Sequence, residues 1–511
     1  MTEESVFELF SPPVVEALKE KGFDLPTDPQ MKLVPIVRAG KNALLMAPTG
    51  TGKTEAAFLP ILDELVREGG PRERGTKLLY VTPLRALNRD MLDRMQWWCK
   101  RFDIRLGVRH GDSTQAERSN MSMAPPEILI TTPETLQIML VGRRIRDNLS
   151  TLRWVIIDEV HELASDKRGA QLAVGMERLR SVAKGDLQVI GLSATVGSPE
   201  RVAEFLVGEG RSCEVVRVPV EKSLALKVVS PHATTIDVEL AEAIYSYPDV
   251  AARLRTIREA VERYKAVLVF TNTRTEAEAL ASRFRVWDPT LPVGIHHSSL
   301  SRATREAVER ELKDGRLMGV ICTSSLELGI DIGFLEYVIQ YNSPRQVTRL
   351  IQRIGRSGHK VGRVSNGMII AQDSDDILEA CVLCRRAMLA ELEPLQPVEV
   401  PYDVAIHQAA GMLIERSSWK LDEMLSVFRR SFPYSRLTEE RLKRVLNYMR
   451  ERYPRLAQFS ESDGSFFRAR DTKPLFEYYF DNLSMIPDEK QYLVIEGDSF
   501  VGALDEAFVS E

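Results

Sequence analysis

A chain of 511 residues is longer than one ordinary domain, and about three domains are expected at this length. Hydrophobic residues make up 44%, enough for several buried cores, and no apolar run reaches membrane-spanning length. The formal net charge of −5 excludes an overall basic field, although a positive groove can still be lined locally on an acidic chain. Five cysteines over this length argue against a disulfide framework. With an acidic Met1-Thr-Glu-Glu4 start and no signal-peptide pattern, they point to a reducing cytoplasm.

Residues 5–21 carry a helical pattern through Val6, Leu9, Phe10, Val14, Ala17 and Leu18. Phe23-Asp-Leu-Pro-Thr-Asp-Pro-Gln30 then reads as a loop. The Gln30 amide offers a donor and an acceptor side by side, which matches an adenine edge. The stretch Ala47-Pro-Thr-Gly-Thr-Gly-Lys-Thr54 follows the apolar run Ala43–Met46 and precedes a helical pattern through Ala57, Ile61, Leu62 and Leu65. Strand, Gly-rich loop and helix in that order form a phosphate-binding loop. Thr49, Gly50, Thr51 and Gly52 would turn backbone N–H groups toward the phosphates of ATP. Lys53 would reach the β/γ-phosphates, and the Thr54 hydroxyl would bind Mg²⁺.

Glu68-Gly-Gly-Pro-Arg-Glu-Arg-Gly75 is a turn, after which apolar strands are expected at 77–82, 105–109, 128–132, 154–158 and 188–192. Apolar runs separated by helices argue a parallel sheet covered on both faces, with function gathered at the strands' carboxyl ends. Thr82-Pro-Leu-Arg85, Thr131-Thr-Pro-Glu134, Asp158-Glu-Val-His161 and Ser193-Ala-Thr195 stand at those ends. Adjacent carboxylates after the apolar Val155-Ile-Ile157 are costly without a compensating cation. Asp158 would hold Mg²⁺ through water, and Glu159 would orient and deprotonate the attacking water.

A second alternating block starts near Cys213, with strands expected at 266–271, 293–296, 319–323, 337–340 and 368–371. It lacks a phosphate loop but ends in Gln352-Arg-Ile-Gly-Arg-Ser-Gly-His359. Two such units suggest a nucleotide bound between them, with Arg356 reaching across as an arginine finger. After Glu391, Pro394, Pro397 and Pro401 mark a linker. Three helical patterns follow, the third capped by Thr438 with Lys443, Arg444, Arg450 and Arg452 on its polar face. A hairpin over 457–470, turning at Asp463-Gly464, completes a winged helix. Cys381-Val-Leu-Cys384 lies in a helical stretch with no second ligand pair at zinc spacing, and reads as buried structural cysteines.

With these motifs assembled, residues 23–359 resemble a superfamily 2 helicase, and in particular the large helicase-related (Lhr) family. The resemblance rests on His296-His-Ser-Ser-Leu-Ser301 with Arg305 and Glu306, on Thr323-Ser-Ser-Leu-Glu-Leu-Gly-Ile-Asp331, on the motif ending in His359, and on Val501-Gly-Ala-Leu-Asp-Glu-Ala-Phe508. It implies tandem RecA-like parallel-sheet α/β domains at 1–212 and 213–392, a winged helix at 393–490, and the start of a further C-terminal module at 491–511. Gln30 would read adenine; Lys53, Thr54, Asp158 and Glu159 would bind and hydrolyse ATP; Gly329, Asp331 and Arg356 would complete the site. Thr82, Arg85, Thr132, Thr271 and Thr323 would sit near strand phosphates, and Ser193 and Thr195 would couple the nucleotide to domain closure. Ser298 stands where the family often has Gly. His359 stands where many superfamily 2 helicases carry a second Arg, which leaves the finger to Arg356.

The implied activity is ATP-dependent 3′→5′ translocation on single-stranded DNA, unwinding DNA or RNA–DNA duplexes in DNA repair or recombination, by a monomer without membrane contact. The alternatives are an ATP-gated nucleic-acid clamp or annealing factor, and an RNA-remodelling helicase.

Overall fold

Short runs of wholly buried, mostly aliphatic residues build the centre of the first domain. These are β1 (Ala43–Met46), β2 (Leu78–Val81), β4 (Ile128–Thr131) and β5 (Trp154–Ile157). With β3 (Leu106–Arg109), β6 (Gln188–Ser193) and β7 (Glu214–Arg217) they form a seven-stranded sheet ordered β3-β4-β2-β5-β6-β1-β7, parallel throughout. One apolar cluster covers each face, as a parallel sheet without a solvent face requires. The computed structural model describes residues 6–48, 50–69, 73–83, 85–111, 113–218, 224–327, 335–357, 364–460, 464–485, 491–496 and 499–505. Among these, no helix is long and apolar enough to cross a membrane.

The second sheet is also parallel, ordered β10-β11-β9-β12-β13-β8. Its strands are β8 (Leu224–Val229), β9 (Val267–Phe270), β10 (Val293–His296), β11 (Gly319–Cys322), β12 (Tyr337–Tyr341) and β13 (Ser365–Ile370). The expected boundary at residue 213 needs correction. Glu214–Arg217 pairs with β1, so the first sheet continues to Arg217, and the second opens at β8. Both are edge strands, and the mixed polar and apolar residues of EVVR and LALKVV are what an edge tolerates. Gln30 also departs from expectation: it lies inside the helix Asp28–Arg38, which Thr27 and Pro29 start, and not in a loop. Of the two helical cysteines in Ser374–Met388, Cys384 is buried, its thiol pushed up to about 11 by burial, but Cys381 faces solvent.

The third domain has the helices Tyr402–Glu415, Leu421–Arg430 and Glu439–Glu451 around an antiparallel sheet, order β14-β16-β15. Its strands are β14 (Ser418–Lys420), β15 (Ala457–Ser460) and β16 (Ser465–Arg468). This is a winged helix, extended by a fourth helix, Lys473–Asp481. Thr438 caps the third helix by accepting from the Arg441 N–H at 3.3 Å. That helix's cations are matched by acids: Lys443 to Glu439 at 2.6 Å, Arg444 to Glu440, and Arg450 to Glu451 at 3.4 Å. Arg452 lies over the Tyr478 ring. A hairpin of β17 (Gln491–Glu496) and β18 (Ser499–Asp505) follows.

The winged helix is joined to the first domain through a largely buried polar interface. Arg178, from the helix Lys167–Val182, is buried; its Nε donates to Glu415 Oε1 at 2.8 Å, and its Nη1 donates to Gln408 Oε1 at 2.7 Å and to Gln137 Oε1 at 3.1 Å. Gln408 also donates to Gln137 Oε1, and the Tyr479 hydroxyl donates to the Gln137 carbonyl at 2.8 Å. Burial pulls His407 down to about 4, so it is neutral here, stacked on Tyr479 at 4.4 Å. Gly411 leaves the room this needs, since a Cβ there would stand 2.7 Å from Tyr479 and 2.8 Å from Arg178. Ala170 and Val174 of the first domain belong to the same apolar cluster as the winged-helix core.

Breaking a buried pair costs about 3–5 kcal/mol, whereas replacing both partners with apolar residues is often close to neutral. Arg178→Ala is therefore expected to lower stability by about that amount, and Arg178→Met with Glu415→Leu to recover part of it. Chemical denaturation of the three proteins checks this; a single variant as stable as the parent would show the pair is energetically idle.

Candidate nucleotide and nucleic-acid site

Strand β1, between β6 and the edge strand β7, runs into the phosphate loop, and the helix Lys53–Glu68 leaves it. Gly50 and Gly52 have φ of 76° and 84°, left-handed values that L-residues with a Cβ seldom adopt. A side chain at Gly52 would also meet Gln30 Nε2 at 3.1 Å and Thr27 Oγ1 at 3.2 Å. Thr51 Oγ1 donates to the Pro48 carbonyl at 2.7 Å. Lys53 is buried, its Nζ 3.3 Å from the carbonyl oxygen of Ser193 at the end of β6. Thr49 lies outside the described residues. Gln30 uses its Oε1 to accept from the Thr27 N–H at 2.9 Å, while its buried Nε2 has no partner among the described residues. An orphaned buried donor against the loop is what a nucleotide acceptor would satisfy.

At the neighbouring end of β5, Asp158 Oδ2 accepts from the Tyr80 hydroxyl at 2.7 Å, and Oδ1 accepts from the Glu159 N–H at 2.9 Å. Glu159 holds φ at 47°, a strained backbone for this residue type. Burial, and then the Glu159 charge, lift the Asp158 carboxyl above its usual range, with Lys53 and the Tyr80 bond opposing them. Two buried carboxylates under that strain fit a divalent cation. Asp158, which accepts from Tyr80, and the Thr54 hydroxyl are the groups that would hold Mg²⁺. Tyr80 was missed in the sequence, although a hydroxyl inside an otherwise aliphatic strand has to find a partner.

His161 links this edge to the second domain. Its Nδ1 lies 3.2 Å from both Ser193 Oγ and the Ala194 N–H, and its Nε2 lies 2.7 Å from the Gln352 amide. Burial opposes protonation, but the Glu162 bond and the charges of Glu159 and Glu162 outweigh it and raise the imidazole above its ordinary value. Thr195, two residues past β6, is half-buried. Gln352 sits in the second turn of the helix Val347–Ile354.

Arg356 is buried, and its Nε and Nη2 donate to the Glu327 carbonyl at 3.1 and 2.6 Å. Its guanidinium is thus anchored within the second domain through two of its five N–H donors. Arg353 keeps Glu327 in place: it bonds the Glu327 carboxylate at 3.0 Å, Gln340 Oε1 at 2.7 Å and Asn272 Oδ1 at 3.2 Å. Gly329 and Asp331 lie outside the described residues, as does His359.

The four threonines expected near strand phosphates stand at carboxyl ends of strands: Thr82 after β2, Thr132 after β4, Thr271 after β9 and Thr323 after β11. Thr132 caps the helix Pro133–Val141, and Thr271 Oγ1 donates to the Thr273 carbonyl at 3.0 Å. Arg85 opens the helix Arg85–Arg101. Arg168, unnoticed in the sequence, donates to Glu134 Oε1 and to the Pro83 carbonyl at 2.6 Å each, holding the Thr82 and Thr132 loops side by side.

Residues 27–203 match the DEAD/DEAH box helicase family, 251–360 the helicase conserved C-terminal domain, and 385–511 the winged helix domain of large helicase-related protein. The ATP-dependent helicase Lhr-Core of Sulfolobus acidocaldarius is 38% identical over 99% of this chain. The chain belongs to the Lhr family. It spans 59% of that relative's length, and 36% of the Lhr helicase/uracil glycosylase of Escherichia coli, to which it is 34% identical over 96% of this chain. The solved structure of Mycobacterium smegmatis helicase Lhr bound to ssDNA and AMP-PNP superimposes with a TM-score of 0.82 at 32% identity, covering 97% of this chain and 65% of that one. The Lhr winged-helix match takes in the β17–β18 hairpin, a stretch assigned from the sequence to a further module.

Proposed function

We propose that this chain hydrolyses ATP to drive 3′→5′ movement along single-stranded DNA, separating DNA or RNA–DNA duplexes, with DNA repair or recombination as the setting. The observation that carries this reading is the contact across the domain boundary, where His161, bonded at Ser193, meets Gln352 at 2.7 Å. Closure of the second sheet on the first thereby reaches the carboxylate that would activate water. Lys53 would neutralise the β/γ-phosphates and Glu159 would take the proton of the attacking water, while Thr54 and Asp158 would hold Mg²⁺. The chemistry a bound Mg²⁺ supplies is charge neutralisation across the phosphate oxygens. The single-stranded DNA in the M. smegmatis Lhr structure supports a DNA track.

The threonines at the two carboxyl edges would take strand phosphates, contacts that carry little base information. DNA, RNA and hybrid substrates with 3′ or 5′ tails therefore make the test. ATPase stimulated by single strands, a preference for 3′ tails, and affinity falling with salt at a slope near −0.7 per contacted phosphate are expected. Turnover indifferent to nucleic acid, or unwinding from 5′ tails, would sink the reading.

A further inference from the structure

The segment between the second sheet and the winged helix touches both nucleotide-site domains within four residues. Leu392 packs on the second-sheet core, and Leu395 packs on the first-sheet core. Between them Glu393 accepts from the Val347 N–H at 2.6 Å through Oε1, and from the Thr348 N–H at 3.3 Å and hydroxyl at 3.2 Å through Oε2. Val347 and Thr348 open the helix that carries Gln352 and Arg353 and leads to Arg356. The first N–H groups of a helix have no partner of their own, and a carboxylate there also meets the positive end of the dipole. Burial works against the Glu393 charge, yet these bonds hold its carboxyl below the usual range.

The other side of the same residue faces the first domain. A Cβ on Gly197 would stand 2.4 Å from the Glu393 carbonyl oxygen and 2.9 Å from that of Leu392. Only a glycine permits this approach, and it lies two residues beyond Thr195 in the loop that leaves β6.

We propose that Glu393 is a positioning residue for ATP turnover. The linker is a tie: its side chain fixes the start of the Gln352–Arg356 helix, and its backbone is seated on the loop after Thr195. Because the winged helix is fastened to the first domain through Arg178, the tie transmits the place of the winged helix to the helix that faces His161. This rests on the nucleotide reading above.

In the full chain, Glu393→Ala is expected to lower kcat of the strand-stimulated ATPase about tenfold, the scale of one lost helix cap, with KM for ATP within about twofold. Glu393→Gln retains a carbonyl acceptor and should recover most of kcat. Gly197→Ala displaces the linker from the first-domain side and should also lower kcat about tenfold at unchanged KM; it carries the test should Glu393→Ala fail to fold. Amide hydrogen exchange at Val347 and Thr348 reads the cap itself and should quicken in Glu393→Ala but not in Glu393→Gln. Unchanged kcat in Glu393→Ala with faster exchange would overturn the proposal, leaving a local cap only, and unchanged exchange would overturn the cap as well. A parent chain whose ATPase ignores nucleic acid would instead defeat the nucleotide reading, and the tie with it.

Discussion

Replacing Glu159 with Gln should leave ATP binding nearly intact and reduce turnover by a factor of about 10²–10⁴, the scale for losing a positioned general base. The two side chains have the same shape, and the strained backbone at φ 47° is held by the Glu159 N–H bond to Asp158, which the substitution keeps. Removing the Glu159 charge also lifts one cause of the raised Asp158 carboxyl. Asp158 then ionises more readily, so cation and nucleotide affinity should hold or improve. Lys53→Ala gives the contrast, because its loss removes ground-state charge at the phosphates and weakens binding itself. Single-turnover hydrolysis alongside equilibrium nucleotide binding separates these effects, and normal turnover in Glu159→Gln would remove the residue from the mechanism.

Arg356→Ala should cut strand-stimulated turnover by about 10³–10⁵ while changing ATP affinity little, as expected of an arginine finger. The geometry explains the asymmetry. In this structure the guanidinium is anchored by the Glu327 carbonyl at 2.6 and 3.1 Å within the second domain, so a bond to phosphate across the domain boundary would form on closure. An interaction made mainly in the closed transition state raises kcat without tightening the ground state. Arg353→Ala should behave differently. It would leave the buried Glu327 carboxylate unpaired and destabilise the second domain before any effect on chemistry. If Arg356→Ala weakened affinity as much as turnover, the residue would be a ground-state ligand. A loss confined to thermal stability would mean that its bond to Glu327 is its whole role.

Much of the fold could be read before the structure, for a physical reason. Leu78–Val81, Ile128–Thr131 and Trp154–Ile157 are buried on both faces, and burial of that kind leaves no room for charged residues. The edge strands Glu214–Arg217 and Leu224–Val229 escaped notice because an exposed edge admits Glu, Arg and Lys. The helix holding Gln30 was hidden behind Pro26 and Pro29, the second of which in fact lies in its first turn. In the site, residues acting through local context were legible: the glycines of the phosphate loop and the paired carboxylates. Those acting through a distant partner were not. Tyr80, Arg168 and Gln352 gain meaning only from side chains or carbonyls tens of residues away. The same holds for Arg178 and Gln408, which meet only across the junction of the first domain and the winged helix.

The sharing of Ala170 and Val174 with the winged-helix core bears on how the polypeptide is made. A domain normally comes off the ribosome carrying everything its own interior requires. Here Glu415, Gln408 and Tyr479 find their partners Arg178 and Gln137 more than two hundred residues back in the chain. The winged-helix interior is thus completed by residues that precede it in the chain, and synthesis from the amino end would offer that surface before the winged helix emerges. A shuffling event that moved it to another host without the Lys167–Val182 helix would deliver an unfinished part.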